Sequence, residues 1–222
     1  MGAVMAPFSY LIFDLDGTIL DTILDISRAM NEALRKCGYD FSYSPKETMR
    51  LVGDGADMAV RRALEFNNAD LQGFQALKEA YMPLYRKMQN DNARPFPRLK
   101  EALSKAKEKG VKLFVVTNKP DSLAKVVVPS HYGEGFFDDI IGVKEGGKVK
   151  PDPQSLNELI ERHGIDRGKA LYVGDSHVDI ETANNGGLPC ALCLWGYDVY
   201  DDALKKRATY LLKEPEDILL LI

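Results

Sequence analysis

Two carboxylates stand two residues apart at the end of an apolar run, Tyr10-Leu11-Ile12-Phe13-Asp14-Leu15-Asp16-Gly17-Thr18. Such a run reads as a buried strand. The period of two turns Asp14 and Asp16 to one side and Leu15 to the other. Gly17 lets the backbone turn sharply and approach a ligand. Neighbouring carboxylates repel unless a cation or a proton lies between them. Magnesium, which takes hard oxygen ligands and keeps several waters, answers that need. A carboxylate beside a bound metal can attack phosphorus and form an aspartyl-phosphate. A second carboxylate can trade a proton with the leaving oxygen. Taken out of context, the pair is a solvated acidic turn. The preceding strand and the following Gly17-Thr18 favour the chemical reading.

Three later stretches carry matching chemistry. Val115-Val116-Thr117-Asn118-Lys119 ends a second strand, and a hydroxyl ahead of a helix start suits phosphate oxygens. The competing role for Thr117 is a helix cap. Lys148-Val149-Lys150-Pro151-Asp152-Pro153 holds a lysine in the extended or turn geometry that precedes proline. A fixed cation helps phosphoryl transfer, which spreads negative charge over the equatorial oxygens. Spacing leaves Lys148 as the rival of Lys150, and a surface lysine as the plain alternative. Leu171-Tyr172-Val173-Gly174-Asp175-Ser176-His177-Val178-Asp179 runs a strand into Gly-Asp and then into a helix. Asp179 lies four residues beyond Asp175 and can face the same side. It also suits the positive end of the helix dipole. His177 between them reads as a solvent-facing helix residue, with a supporting group behind the site as the alternative.

These four stretches, in this order, resemble the four motifs of the haloacid dehalogenase superfamily of phosphohydrolases, and the resemblance spans most of the chain. It implies an α/β fold, a Rossmann-like parallel sheet core with an inserted all-helical cap domain. It implies Asp14 as nucleophile and Asp16 as general acid and base. Thr117, Asn118 and Lys150 would bind the phosphoryl group. Asp14, Asp175 and Asp179 would hold Mg2+, with the backbone carbonyl of Asp16. The break Val52-Gly53-Asp54-Gly55-Ala56-Asp57, followed by Arg61-Arg62, resembles the cap loop of phosphoglycolate phosphatases. There Gly53, Asp54, Gly55, Arg61 and Arg62 would select a small anionic ester, and an arginine could meet its carboxylate. The plain alternative is an interhelix turn with a solvated arginine pair. A hexose-phosphate mutase like β-phosphoglucomutase, a pyrophosphatase or nucleotidase, and a non-catalytic binding protein on the same fold are the competing functions.

The elements that must position these groups follow from periodicity. Ile23, Ile26, Met30, Leu34 and Cys37 recur at helical spacing up to Gly38. Ser44-Pro45 starts a short helix over 46–52. Further helices read over 56–67 and 71–88, the latter with Pro83 as a candidate kink. Residues 90–97 form a polar, proline-bearing joint. Beyond it strands at 111–116, 140–143, 170–173, 190–194 and 209–212 alternate with helices at 98–109, 120–130, 153–163 and 178–184, as in a covered parallel sheet. The expected division is therefore a core of 1–17 and 96–222 and a helical cap of 18–95. Two chain crossings join them, which suits hinge motion.

Composition narrows the function classes. The chain has 222 residues, 45% hydrophobic and 28% charged, with a net charge of −4 and no long basic run, which argues against nucleic acid as main ligand. No apolar stretch reaches the roughly 20 residues of a membrane span. The first six residues match neither a secretory signal nor a myristoylation site. Cys190-Ala-Leu-Cys193 has a metal-like spacing, but its apolar run reads as strand packing. Reduced thiols fit a cytoplasmic protein; the resemblance implies a small phosphorylated metabolite as its partner, and a monomer or homodimer is expected.

Overall fold

The computed structural model describes residues 8–222; residues 1–7, including the stretch read for targeting signals, lie outside the described part. In chain order the elements are β1 (Tyr10–Phe13), β2 (Leu20–Asp21), α1 (Ile23–Lys36), α2 (Pro45–Thr48), α3 (Ala56–Glu65), α4 (Phe74–Met88), β3 (Arg94–Pro95) and α5 (Leu99–Glu108). There follow β4 (Lys112–Pro120), α6 (Asp121–Tyr132), β5 (Asp139–Val143), α7 (Gln154–His163), β6 (Ala170–Gly174), α8 (His177–Asn185), β7 (Cys190–Cys193), α9 (Asp202–Lys205) and β8 (Tyr210–Leu212).

Six strands form one sheet in the order β5-β4-β1-β6-β7-β8, and each pairing is parallel. β1 lies between β4 and β6, with Tyr10 opposite Lys112 on one side and Ala170 on the other. Its alternation explains the layers. Leu11 and Phe13 pack on one face, against Leu99 and Leu103 of α5 and Val127 of α6. Ile12 packs on the other, against Leu156 of α7 and Ile180 of α8. A strand covered on both faces reads as a continuous apolar run, as β1 does. Cys190 and Cys193 are free and buried in β7, one in each apolar cluster, as packing residues.

Helices α1 to α4 pack around a further apolar cluster, in which Met30, Leu34, Leu64, Leu77 and Tyr81 are buried and which Leu123 of α6 joins. Two features bracket this helical block. β2 and β3 pair antiparallel, Leu20 with Pro95 and Asp21 with Arg94. Just beyond, buried Asp25 accepts hydrogen bonds from the Asn92 amide at 2.9 Å, the Asn92 side chain at 2.7 Å and the Ala93 amide at 2.9 Å. The joint is thus a short ribbon where a bare polar linker was expected. Pro83 lies inside α4, which continues through it. The helix expected over 46–52 ends at Thr48, held by a capping box between Ser44 and Glu47. Among the described residues no helix is long and apolar enough to cross a membrane.

Candidate active site

Parallel α/β sheets present their ligand sites at the carboxyl ends of the strands. Here β1 delivers Asp14, whose amide still donates to Val173 O at 2.9 Å, and the following turn delivers Asp16. Leu15 is fully buried in the core while both aspartates line a cavity, as the alternation requires.

One oxygen each from Asp14, Asp175 and Asp179 lies within 4.8 Å of the others. The Lys150 ammonium is 2.7 Å from Asp14 Oδ1 and 2.7 Å from Asp179 Oδ1. Lys148, the rival, is exposed and pairs with Asp152 at 2.9 Å. Burial, opposed by Lys150 and assisted by the charges of Asp179 and Asp16, pushes Asp14 up to about 7. Burial likewise pushes Asp175 up, with Asp179 and Asp14 adding to the rise. Desolvation acts against the Lys150 charge, but Asp14 and Asp179 outweigh it and hold the ammonium protonated.

Each carboxylate is oriented by neighbours. Asp175 Oδ1 accepts from Thr18 Oγ1 at 2.9 Å, and Oδ2 from the Tyr197 amide at 2.7 Å. Asp179 is the third residue of α8 and closes a capping box with Ser176. Its Oδ2 accepts from the amides of Asp175 and Ser176 and from Ser176 Oγ, leaving Oδ1 for Lys150 and the Tyr172 hydroxyl. Asp179 thus caps α8, as the dipole reading expects, and also faces Lys150. Backbone approaches the trio closely. A Cβ on Gly17 would lie 2.5 Å from Asp175 Oδ2, and one on Gly174 2.2 Å from Asp179 Cγ. Gly17 also has φ +88°, where a side chain is strained.

This donor set fits a hard divalent cation. Two buried carboxylates and the partly exposed Asp14 meet, and Asp14 Oδ1 is buried without a well-directed hydrogen bond. Oxygen donors of this kind suit magnesium. The Asp16 carboxylate stands outside the trio. Its Oδ1 accepts from Thr22 Oγ1 at 2.7 Å and from Lys119 Nζ at 3.1 Å.

β4 continues four residues past the expected end, so Thr117 lies in the strand and α6 starts at Asp121. Thr117 is therefore no helix cap; its Oγ1 accepts from the Lys119 amide at 3.2 Å. The Asn118 side chain is committed to backbone. Its Nδ2 donates to Gly53 O and Lys150 O, and its Oδ1 accepts from Lys150 N at 2.7 Å. That side chain fastens the Lys150 loop to β4 and to the helical block.

From the helical block, Gly53, Gly55 and Arg62 line the cavity of about 280 Å³ above the carboxylates. Arg62 bonds the Asp54 carboxylate and the carbonyls of Leu51 and Val52. Arg61 turns away and pairs with Glu65 at 2.7 Å on an exposed surface. His177 stands half-exposed at the rim, where a hydrogen bond to Asp198 raises its pKa. Sequence reading passed over Lys119, Tyr85, Thr18, Thr22 and Tyr197. Lys119 directly follows Thr117-Asn118, and that adjacency was the available signal.

The family model for the haloacid dehalogenase-like hydrolases matches residues 11–193. The chain is 33% identical over 191 residues to the phosphoglycolate phosphatase of Aquifex aeolicus, covering 84% of this chain and 85% of that protein. It is 33% identical over 199 residues to the phosphoglycolate phosphatase of Vibrio cholerae, covering 87% and 88%. Among crystal structures, a Lactobacillus delbrueckii subsp. bulgaricus protein superposes with TM-score 0.90 at 29% identity, covering 96% of this chain and 97% of the other.

Proposed function

The chain belongs to the haloacid dehalogenase-like hydrolases and is a phosphatase of that family; on that premise we propose that it hydrolyses a small carboxylated phosphomonoester, 2-phosphoglycolate being the best candidate. The observation that carries the reading is the carboxylate trio with Lys150 beneath a small cavity. At about 280 Å³ the space falls just below the roughly 300–1,000 Å³ of ordinary ligand clefts, which suits a substrate of few atoms.

In this reading Asp14 attacks phosphorus, forming the new P–O bond as the ester P–O bond breaks. Asp16 gives its proton to the departing alcohol, then takes one from the water that cleaves the aspartyl-phosphate. Thr117 and Lys150 hold the phosphoryl oxygens, while Asn118 fixes the loop of Lys150. Asp14 and Asp175, with Asp179 in support and the Asp16 carbonyl, would hold magnesium. Bound there, the ion supplies positive charge that favours ionised Asp14 and offsets the charge on the transferring group. Residues 18–95 act as the cap over a core of 1–17 and 96–222, with the loop from Gly53 to Gly55 closing over the ester. The enzyme works in the cytoplasm on a free metabolite, as a monomer or homodimer, without membrane or nucleic acid.

Phosphate release is measured across a panel of esters, with magnesium and with chelator. The expected result is magnesium-dependent hydrolysis with 2-phosphoglycolate preferred, and no turnover in Asp14→Asn. Equal rates on 2-phosphoglycolate and on unrelated sugar phosphates would refute the substrate. Isomerisation of a sugar phosphate without phosphate release would refute the hydrolase reading in favour of a mutase.

A further inference from the structure

Building on the reading of a small carboxylated ester, we propose that Lys119 binds the substrate's carboxylate and that Tyr85 positions it from the helical block. The Lys119 side chain is wholly enclosed, with 0% exposure, yet borders the cavity. Its ammonium lies 3.1 Å from Asp16 Oδ1 and 3.5 Å from Oδ2. It donates to the Tyr85 hydroxyl and stands 4.4 Å from that ring's centroid. Tyr85 in turn stacks on Tyr81 with centroids 5.3 Å apart.

A buried ammonium needs an anionic partner, and here the partner is Asp16. The ammonium also borders the cavity, so a substrate that brings a negative group to this side gives it a second anionic partner; an ester without one sets only neutral atoms against it. The reach is right for a two-carbon acid. Asp16 must touch the bridging oxygen, and in 2-phosphoglycolate the carboxylate oxygens lie about 3 Å from that atom by ordinary bond lengths. One ester can therefore contact Asp16 and Lys119 together.

The other cations near the cavity are held elsewhere. Arg62 is bound to Asp54 and two carbonyls, and Arg50 lies 5.1 Å from the Phe66 ring centroid. Both stay on the helical block, on that block's own groups. Lys150 serves the phosphoryl end through Asp14 and Asp179. Lys119 alone among these stands against Asp16, at the leaving-group end.

The test compares 2-phosphoglycolate with ethyl phosphate, which has the same length and no carboxylate. The readout is the ratio of their kcat/KM values in the magnesium-loaded enzyme. Lys119→Met is expected to lower that ratio by about 30-fold, the worth of a charge-assisted hydrogen bond. Tyr85→Phe keeps the ring and is expected to lower it severalfold through KM for 2-phosphoglycolate. Calorimetric binding of the two esters in an Asp14→Asn background reads the same preference if the Lys119 variant has lost turnover. A parent enzyme that shows no preference overturns the substrate reading itself. A parent that prefers 2-phosphoglycolate, with Lys119→Met retaining the full ratio in kinetics and in binding, overturns the assignment of Lys119 and leaves the substrate standing. An unchanged ratio in Tyr85→Phe overturns the positioning role.

Discussion

Removing the charge of Asp14 should make the metal-free protein more stable while ending catalysis. Asp14 is enclosed beside Asp175 and Asp179, and its carboxyl is pushed from 3.8 to about 7, chiefly by burial and against the pull of Lys150. Keeping it ionised above neutral pH therefore destabilises the fold by roughly 4 kcal/mol, at about 1.4 kcal/mol per tenfold change in proton affinity. The sign follows from proton counting. Between pH 3.8 and about 7 the folded chain holds this proton more firmly than the unfolded chain does, so rising pH lowers stability across that window. Asparagine keeps the shape and has no charge to desolvate. The stability of Asp14→Asn minus that of the parent should be near zero below about pH 4, grow to about pH 7 and stay level beyond. For a chain of this size the plateau corresponds to a rise in Tm of about 8–16 °C. Thermal melts of both proteins in chelator, taken at pH 5 and pH 8, measure it. Saturating magnesium should narrow the gap, because an ion that binds the folded parent stabilises it. If Asp14→Asn melts at or below the parent's temperature at pH 8 without metal, the claim that burial strains this carboxylate is wrong.

Two further substitutions test the groups that orient the site. Thr18→Val removes the 2.9 Å hydrogen bond to Asp175 Oδ1; magnesium affinity, followed by titration calorimetry, should weaken about tenfold or more, as for other groups that orient metal ligands. Asp25→Ala deletes the acceptor of three hydrogen bonds at the joint of the helical block. With buried donors left unpaired, urea denaturation should register a loss of about 2–4 kcal/mol.

The chemistry was legible where strand and motif coincide. Phe13 runs into Asp14, and Val173-Gly174 runs into Asp175, so an apolar run that ends in an acid marks both the strand end and a member of the carboxylate cluster. The expectation of a covered parallel sheet followed from the alternation of strands and helices, and its Rossmann-like form from the family resemblance. Lys119 was harder to see because β4 extends beyond its apolar segment: Thr117-Asn118-Lys119-Pro120 has no strand-like hydrophobicity, yet pairs as far as Val143. The ribbon of β2 and β3 has two residues a side, too few to show any period. Thr18 and Asp175 meet across 157 positions, and Tyr197 reaches the start of α1 from beyond β7, bonding the Thr22 and Ile23 amides. Such contacts depend on the closed fold and leave no local trace. Arg61 and Arg62, adjacent in sequence, diverge because successive helix positions point about 100° apart; only Arg62 borders the cavity.

The pairing of Asp21 with Arg94 means that everything between them leaves and re-enters the sheet domain at a single point. Paired strands lie about 5 Å apart, a gap that a two-residue turn closes. To the rest of the chain, the whole excursion from α1 to α4 is topologically equivalent to a hairpin tip. Exchanging or lengthening that excursion would leave the strand register untouched, because its covalent entry and exit stay paired; what would change is the set of contacts it makes with the strand ends, such as Gly53 with Asn118 and Tyr85 with Lys119.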